Sequence, residues 1–184
     1  MDFYFEPLQK KHLEKVNVWL KEDFVREFWD NTDAHKKDII CFSEGRKTPS
    51  AYADGKYVYW IASLDNHPFG MIMSIQETGD ADIGPLKLSV LAKNGHTYGL
   101  DFMIGERSYF GKGLGSKTLE AFIRYFKKSV DQNVRLFMID PASDNLRAIH
   151  VYKKAGFKHV GDFVMTGLVS GAGKLHQLLT LEIV

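Results

Sequence analysis

The sequence is short of the features that mark several large protein classes. It has one cysteine, Cys41, in 184 residues, which excludes an internal disulfide framework and fits a reducing compartment. Its seven histidines, at positions 12, 35, 67, 96, 150, 159 and 176, show no ligand spacing. There is no His-Glu-x-x-His and no Cys/His cluster, so no metal is expected. Neither sign of charge prevails. Lys and Arg number 24 against 23 Asp and Glu, a formal net charge of +1, which argues against a nucleic-acid binder or a polybasic membrane anchor. No apolar run approaches the ~20 residues that span a bilayer. Met1 to Glu6 lacks the basic and apolar regions of a signal peptide, and no internal repeat is seen. With 45% apolar and 26% charged residues, the chain has the composition of a globular protein. One domain over 1–184 is expected, cytoplasmic, monomeric or homodimeric, with neither nucleic acid nor membrane as partner.

Phe3 and Phe5 begin a short strand that Pro7 ends. Leu13, Val16 and Leu20 share one face of a helix over Lys10 to Glu22. A second helical stretch covers Asp23 to Trp29, and a third runs from about Ala34 to Ser43 after the break at Asp30 to Asp33. Gly45 to Gly55 reads as loop, and Tyr57 to Leu64 with Phe69 to Glu77 as a hairpin about the turn residues Asp65 to Pro68. Thr78 to Gly95 admits either a loop or a short helix. Beyond it, Tyr98 to Ile104 is a strand, Gly113 to Lys128 a helix and Val134 to Ile139 an apolar strand. That order makes a crossover unit with parallel strands. A helix from about Asn145 to Ala155 ends at Gly156. Strands at Phe157 to Val164 and Leu175 to Val184 follow, joined across Gly167, Gly171 and Gly173. The expected fold is α/β, a mixed sheet of six or seven strands flanked by helices.

The chemistry begins at Phe110-Gly111-Lys112-Gly113-Leu114-Gly115-Ser116, where a strand gives way to a helix. Unpaired N–H groups at a helix start, the helix dipole and absent side chains together suit a pyrophosphate. Glycines that serve only a tight turn are the other reading. Two familiar phosphate loops fail here. The triphosphate loop needs Gly-Lys-Ser/Thr, but Ser116 precedes Lys117-Thr118. The dinucleotide loop needs Gly-x-Gly-x-x-Gly, but Thr118 stands at its third glycine.

The loop resembles the Arg/Gln-x-x-Gly-x-Gly/Ala pattern of the GNAT superfamily of N-acetyltransferases, with Phe110 at the Arg/Gln place. Asn145-Leu146-Arg147-Ala148-Ile149-His150-Val151-Tyr152-Lys153-Lys154-Ala155-Gly156-Phe157 is similar to the superfamily's Asn-x-x-Ala-x-x-x-Tyr-x-Lys-x-Gly-Phe. Within the superfamily, the loop and the stretch from Asp140-Pro141 to Ile149 resemble the aminoglycoside 6′-N-acetyltransferases. The resemblance covers roughly Tyr98 to Val164. It implies a GNAT fold, acetyl-CoA as cofactor and a small-molecule amine as substrate. The alternative acceptors are a siderophore hydroxylysine, a polyamine or a protein amino terminus, and a non-catalytic acyl-CoA sensor is the rival class.

An alkyl ammonium titrates near ~10, so acetylation needs a carboxylate to bind it and take its proton. Asp101, at the place where the aminoglycoside enzymes carry an active-site aspartate, is the candidate base; a solvated strand acid is the alternative. Asp140 ends the buried strand and is a candidate substrate carboxylate or a turn cap. The resemblance makes Tyr152 the general acid, unless it is core. It places Asn145 on the cofactor's amide-rich arm and backbone N–H groups near Met103 and Ile104 at the acyl oxygen. Trp29 lines the acceptor pocket or anchors helices. His150 reads as a surface or packing residue.

Overall fold

The computed structural model describes residues 2–79, 83–166 and 172–183. Asp80 and Asp82, two acids within the Thr78 to Gly95 stretch, lie outside them, as do Gly167, Gly171 and Val184. Seven strands form one mixed sheet: β1 (Phe3–Pro7), β2 (Val58–Leu64), β3 (His67–Glu77), β4 (His96–Ile104), β5 (Val134–Ile139), β6 (Lys158–Val164) and β7 (Leu175–Glu182). Their spatial order is β1-β2-β3-β4-β5-β7-β6. Every pairing is antiparallel except β4 with β5, the expected crossover pair. The β2–β3 hairpin turns at Asp65 and Asn66, both with positive φ (49° and 66°), the geometry of a two-residue turn that Asn and Asp tolerate.

Among the described residues six α-helices cover the sheet: α1 (Leu13–Trp19), α2 (Asp23–Arg26), α3 (Asp33–Ser43), α4 (Pro85–Ser89), α5 (Leu114–Ser129) and α6 (Leu146–Lys154). The helix expected over Lys10 to Glu22 is shorter, a 3₁₀ turn at Lys10–His12 followed by α1. The Asp23 to Trp29 stretch is helical only to Arg26. Within the expected break at Asp30 to Asp33, Thr32 caps α3, its hydroxyl accepting from His35 N at 3.3 Å. Within Thr78 to Gly95, α4 forms with Pro85 in its first turn, where a proline lacks no partner.

Strand alternation divides the core. On one face Trp60, Ile72, Leu100, Phe137 and Ile139 pack under α5 and α6. The apolar stripe of α5, Leu119, Phe122, Ile123 and Phe126, is buried there, and Phe122 meets Phe5 edge-on at 5.2 Å. A buried phenylalanine of this kind contributes about 1.5–3 kcal/mol by area alone, so this stripe fixes the helix on the sheet. On the other face Tyr59, Ile61, Met71, Met73 and Met103 pack under α1–α3. Farther along that face Leu136, Met138 and Leu178 meet Leu86, Val90 and Leu91 around α4. The register pairs Gly99 with Met138, so both helical layers lie on the same face and leave a cleft between them over β4 and β5.

Candidate active site

Parallel pairing of β4 with β5 ends at Gly99↔Met138, although β4 runs on to Ile104. Strand β5 itself ends one residue later, at Ile139, so the rest of β4 presents an edge that β5 does not pair. Which of its groups face the gap follows from the ladder on the other side. Gly105 N donates to Phe69 O at 2.8 Å, and β3 pairs Met71 with Met103 and Met73 with Asp101. By alternation the backbones of Asp101 and Met103 are engaged with β3, and those of Leu100, Phe102 and Ile104 face the gap. This corrects the expectation for Met103, whose side chain is also buried at 6% exposure. Phe102 and Ile104 are the available main-chain donors.

The glycine loop faces the same opening. Gly111 and Gly113 have φ of 72° and 66°, and a Cβ on either would meet no atom within 4 Å. No side chain caps α5, whose cap residue is Gly113 itself. Left-handed backbone, an empty approach and unpaired first-turn N–H groups fit the pyrophosphate of a coenzyme. Gly115 differs. A Cβ there would stand 2.9 Å from Val151 Cγ1, so this glycine lets α5 lie close on α6. Leu114 and Ser116 are buried at 3% exposure each, leaving only their main chains for a ligand, and Lys112 is exposed. Asn145 is the cap of α6, its Oδ1 accepting from Ala148 N at 3.1 Å. That oxygen is committed to the helix, and only the amide donors of the side chain remain for a cofactor.

Asp101 stands on the cleft face, on the same side of β4 as Gly99 and Met103. Burial, then the neighbouring Asp140, pushes its carboxyl up to about 7, while Lys87 pulls it the other way. Asp140 lies just past the end of β5. Its carboxylate meets Lys87 Nζ at 3.3 Å with both side chains largely buried, so it is an ion-pair partner and not a helix cap. Burial disfavours the Lys87 ammonium, but Asp140, Glu77 and Asp101 together hold its pKa above the usual value. Its ammonium also lies 5.5 Å from the centre of the Phe163 ring.

Tyr152 lies in the core and feels the acids of the cleft. It is 6% exposed, within the cluster under α5 and α6, and burial with Asp101 and Asp140 raises its hydroxyl pKa. The phenol therefore keeps its proton beside two carboxylates.

The far wall of the cleft was not legible in the sequence. Burial and then Asp101 raise the hydroxyls of Tyr57 and Tyr52, with Asp30 acting on Tyr52 as well. Arg46 anchors this wall at Tyr57 and, through Asp38, at Tyr59. Its guanidinium donates to Asp38 Oδ2 at 2.6 Å and to Tyr57 O at 2.9 Å, and Tyr59 donates to the same Asp38 oxygen at 2.7 Å. His35 stacks on Tyr52, centroids 4.5 Å apart. Trp29 is 8% exposed in the core beneath α1–α3. Its Nε1, both amide atoms of Asn31 and His35 Nε2 are buried without a hydrogen-bond partner. Such atoms are costly unless a ligand or water satisfies them.

The family model described as "Acetyltransferase (GNAT) domain" matches residues 9–165. The chain belongs to the GNAT acetyltransferase family. An aminoglycoside N(6′)-acetyltransferase type 1 of Klebsiella pneumoniae is 29% identical over 143 residues, 78% of this chain and 67% of that protein. The crystal structure of an aminoglycoside N(6′)-acetyltransferase from Legionella pneumophila superposes with a TM-score of 0.76 at 24% identity, covering 99% of this chain and 94% of the other. A Vibrio cholerae spermidine N-acetyltransferase, solved with CoA and spermine, does so at 0.68 and 12%, covering 98% and 95%. The GNAT fold expected from the two motifs is therefore the fold observed. The chain is an acetyltransferase, and acetyl-CoA is the family's acetyl donor. Among the described residues, no group of three or more His, Cys, Asp or Glu is placed to hold a metal ion, and no helix is long and apolar enough to cross a membrane.

Proposed function

We propose that this GNAT enzyme acetylates a primary amine of a small polycationic acceptor, the 6′-amine of an aminoglycoside. One observation carries the reading. Asp30, Glu77, Asp101 and Asp140 act together on the cleft's ionisable groups, opposed there by Lys87. A desolvated site with that excess of carboxylates attracts molecules bearing several ammonium groups. The unpartnered atoms of Trp29, Asn31 and His35 suit an acceptor with hydroxyls and amines to offer. The names of the relatives agree with this acceptor.

Bound acetyl-CoA supplies a thioester carbonyl carbon. The chain's residues do the rest. Asp101 and Asp140 hold the acceptor's ammonium, and Asp101, poised near neutrality, takes its proton at a carboxylate oxygen. The main-chain N–H groups of Phe102 and Ile104 on the open edge are the donors available to an acyl oxygen. Tyr152 Oη holds the proton that the departing sulfur needs.

A thiol-release assay with acetyl-CoA tests the acceptor, run against kanamycin, spermidine and a peptide with a free amino terminus. Turnover is expected with kanamycin. Turnover confined to spermidine moves the acceptor to the polyamines, and release only with the peptide, or with none of the three, sinks the polycation reading. Tyr152→Phe is expected to lower kcat while leaving coenzyme A affinity unchanged.

A further inference from the structure

Phe110 stands where the superfamily's loop pattern has Arg or Gln, so the loop lacks a side chain able to reach a phosphate from that position. The structure gives this phenylalanine another task. Its ring packs edge-on against Phe24 of α2, centroids 4.9 Å apart, and the guanidinium carbon of Arg147 lies 5.0 Å from its centre. Two more cations are seated on rings beside the same loop. Arg107 lies 5.3 Å from the centre of Phe24, and Lys112 lies 5.9 Å from that of Tyr109, itself stacked on the buried Phe69 at 4.8 Å. Among the described residues, no carboxylate lies within ion-pair distance of Arg107, Lys112 or Arg147. Elsewhere the protein does pair cations, as at Lys10–Glu44 and Lys15–Glu106.

A ring beneath a cation restrains its side chain and leaves its outward N–H donors unspent. Arg147 has a further advantage of position. It lies in the first turn of α6, one residue beyond Leu146, whereas Phe110 lies just before the glycines that lead into α5. A guanidinium resting on Phe110 therefore bridges the starts of both helices. Its planar fork matches two oxygens of one phosphate, and coenzyme A carries a pyrophosphate and a 3′-phosphate.

We propose that Arg147, seated on Phe110, makes the side-chain contact to a coenzyme A phosphate that the loop itself lacks. The assignment rests on the coenzyme A reading of the loop. Phe110 acts as a positioning residue, holding Arg147 over the glycines.

Calorimetric titration of coenzyme A into wild type, Arg147→Gln, Arg147→Lys and Phe110→Leu tests it without reference to turnover. Removing a charged hydrogen-bond donor costs about 10- to 100-fold in affinity, and that loss is expected for Arg147→Gln. The salt dependence of binding should become shallower in the same variant. Arg147→Lys keeps the charge without the fork and should recover part of the loss. Phe110→Leu should give a smaller weakening through the freed arginine. Dephospho-coenzyme A identifies the contact: an equal loss with it puts Arg147 on the pyrophosphate, and a loss confined to coenzyme A puts it on the 3′-phosphate. An unchanged unfolding midpoint for Arg147→Gln shows that the fold is intact. Equal affinity of Arg147→Gln and wild type, or an unchanged salt slope, overturns the assignment. Failure of wild type to bind coenzyme A overturns the cofactor reading of the loop and this assignment with it.

Discussion

Replacing Asp101 with asparagine is expected to cost activity and to make the protein more stable. The carboxyl is pushed from an ordinary 3.8 to about 7, chiefly by burial and then by Asp140. An acid shifted upward binds its proton more tightly in the folded chain than in the unfolded one. Its ionised form therefore penalises folding. The penalty is absent below about pH 4, grows as pH rises towards 7 and is complete above that. At ~1.4 kcal/mol per unit, the full penalty is on the order of 4 kcal/mol. Asparagine has nearly the same shape and no charge to bury. Asp101→Asn should thus gain on the order of 4 kcal/mol at pH 8 and under half of that at pH 5, while kcat/KM falls by about 10²–10⁴, the usual worth of a positioned base. Urea unfolding at the two pH values measures the gain; tryptophan fluorescence reports it, since Trp19, Trp29 and Trp60 are all buried. No gain at pH 8, or a gain equal at both pH values, would refute the reasoning. The first would mean that the carboxylate is comfortably solvated, and the second that packing rather than charge had changed.

The neighbours of Asp101 should move its titration in opposite directions. Asp140 raises its pKa and Lys87 lowers it, so the acidic limb of the kcat/KM–pH profile should shift downward in Asp140→Asn and upward in Lys87→Met. Unit charges across a site of this kind interact by about 1–2 kcal/mol at an effective dielectric near 20, or about one pH unit each way. Using one acceptor throughout keeps its own titration constant, and shifts of the same sign would defeat the assignment. Gly115→Ala should destabilise by about 1–3 kcal/mol through overpacking, because the new Cβ meets Val151 Cγ1 at 2.9 Å. Adding Val151→Ala should recover much of that in chemical unfolding, and additive losses would show that α5 and α6 do not meet there.

The half of the site that we assign to the cofactor was legible because it is local in sequence. The glycine loop and the α6 motif are short, each lies on one element, and the crossover that joins them follows from the strand–helix–strand order. Even there, the strand pattern showed that β4 passes the opening but not which of its N–H groups face it. That depends on the pairing partner, and Met71 claims Met103. The wall of the acceptor cleft was not legible. Tyr57 is the residue before β2, Tyr52 lies in a loop held by Arg46, and Lys87 comes from a five-residue helix with no periodicity to announce it. Each is defined by contacts with distant segments. Asn145 shows the opposite difficulty: its place in the motif was plain, but its side-chain oxygen is spent on capping α6.

The run of β4 beyond the end of β5 explains why the two halves differ in this way. Beyond Gly99↔Met138 the sheet has a gap with α5 and α6 on one face and the cleft between α1–α3 and α4 on the other. On the proposed reading, a donor held by helix starts enters from the first face and an acceptor from the second. On that reading the reacting groups meet at Asp101, Asp140 and Tyr152, where Asp140 acts on Asp101 and both carboxylates act on the phenol. Phosphate binding would then depend on cations and free N–H groups at α5 and α6, and ammonium binding on carboxylates across the sheet. A chain whose formal charge is only +1 thus carries two fields of opposite sign within one domain's thickness. Its near-neutral composition conceals them because they cancel. Lys87 sets the strength of the acidic one. By neutralising Asp140 in part it keeps Asp101 near neutrality, where a carboxylate can both hold an ammonium and take its proton.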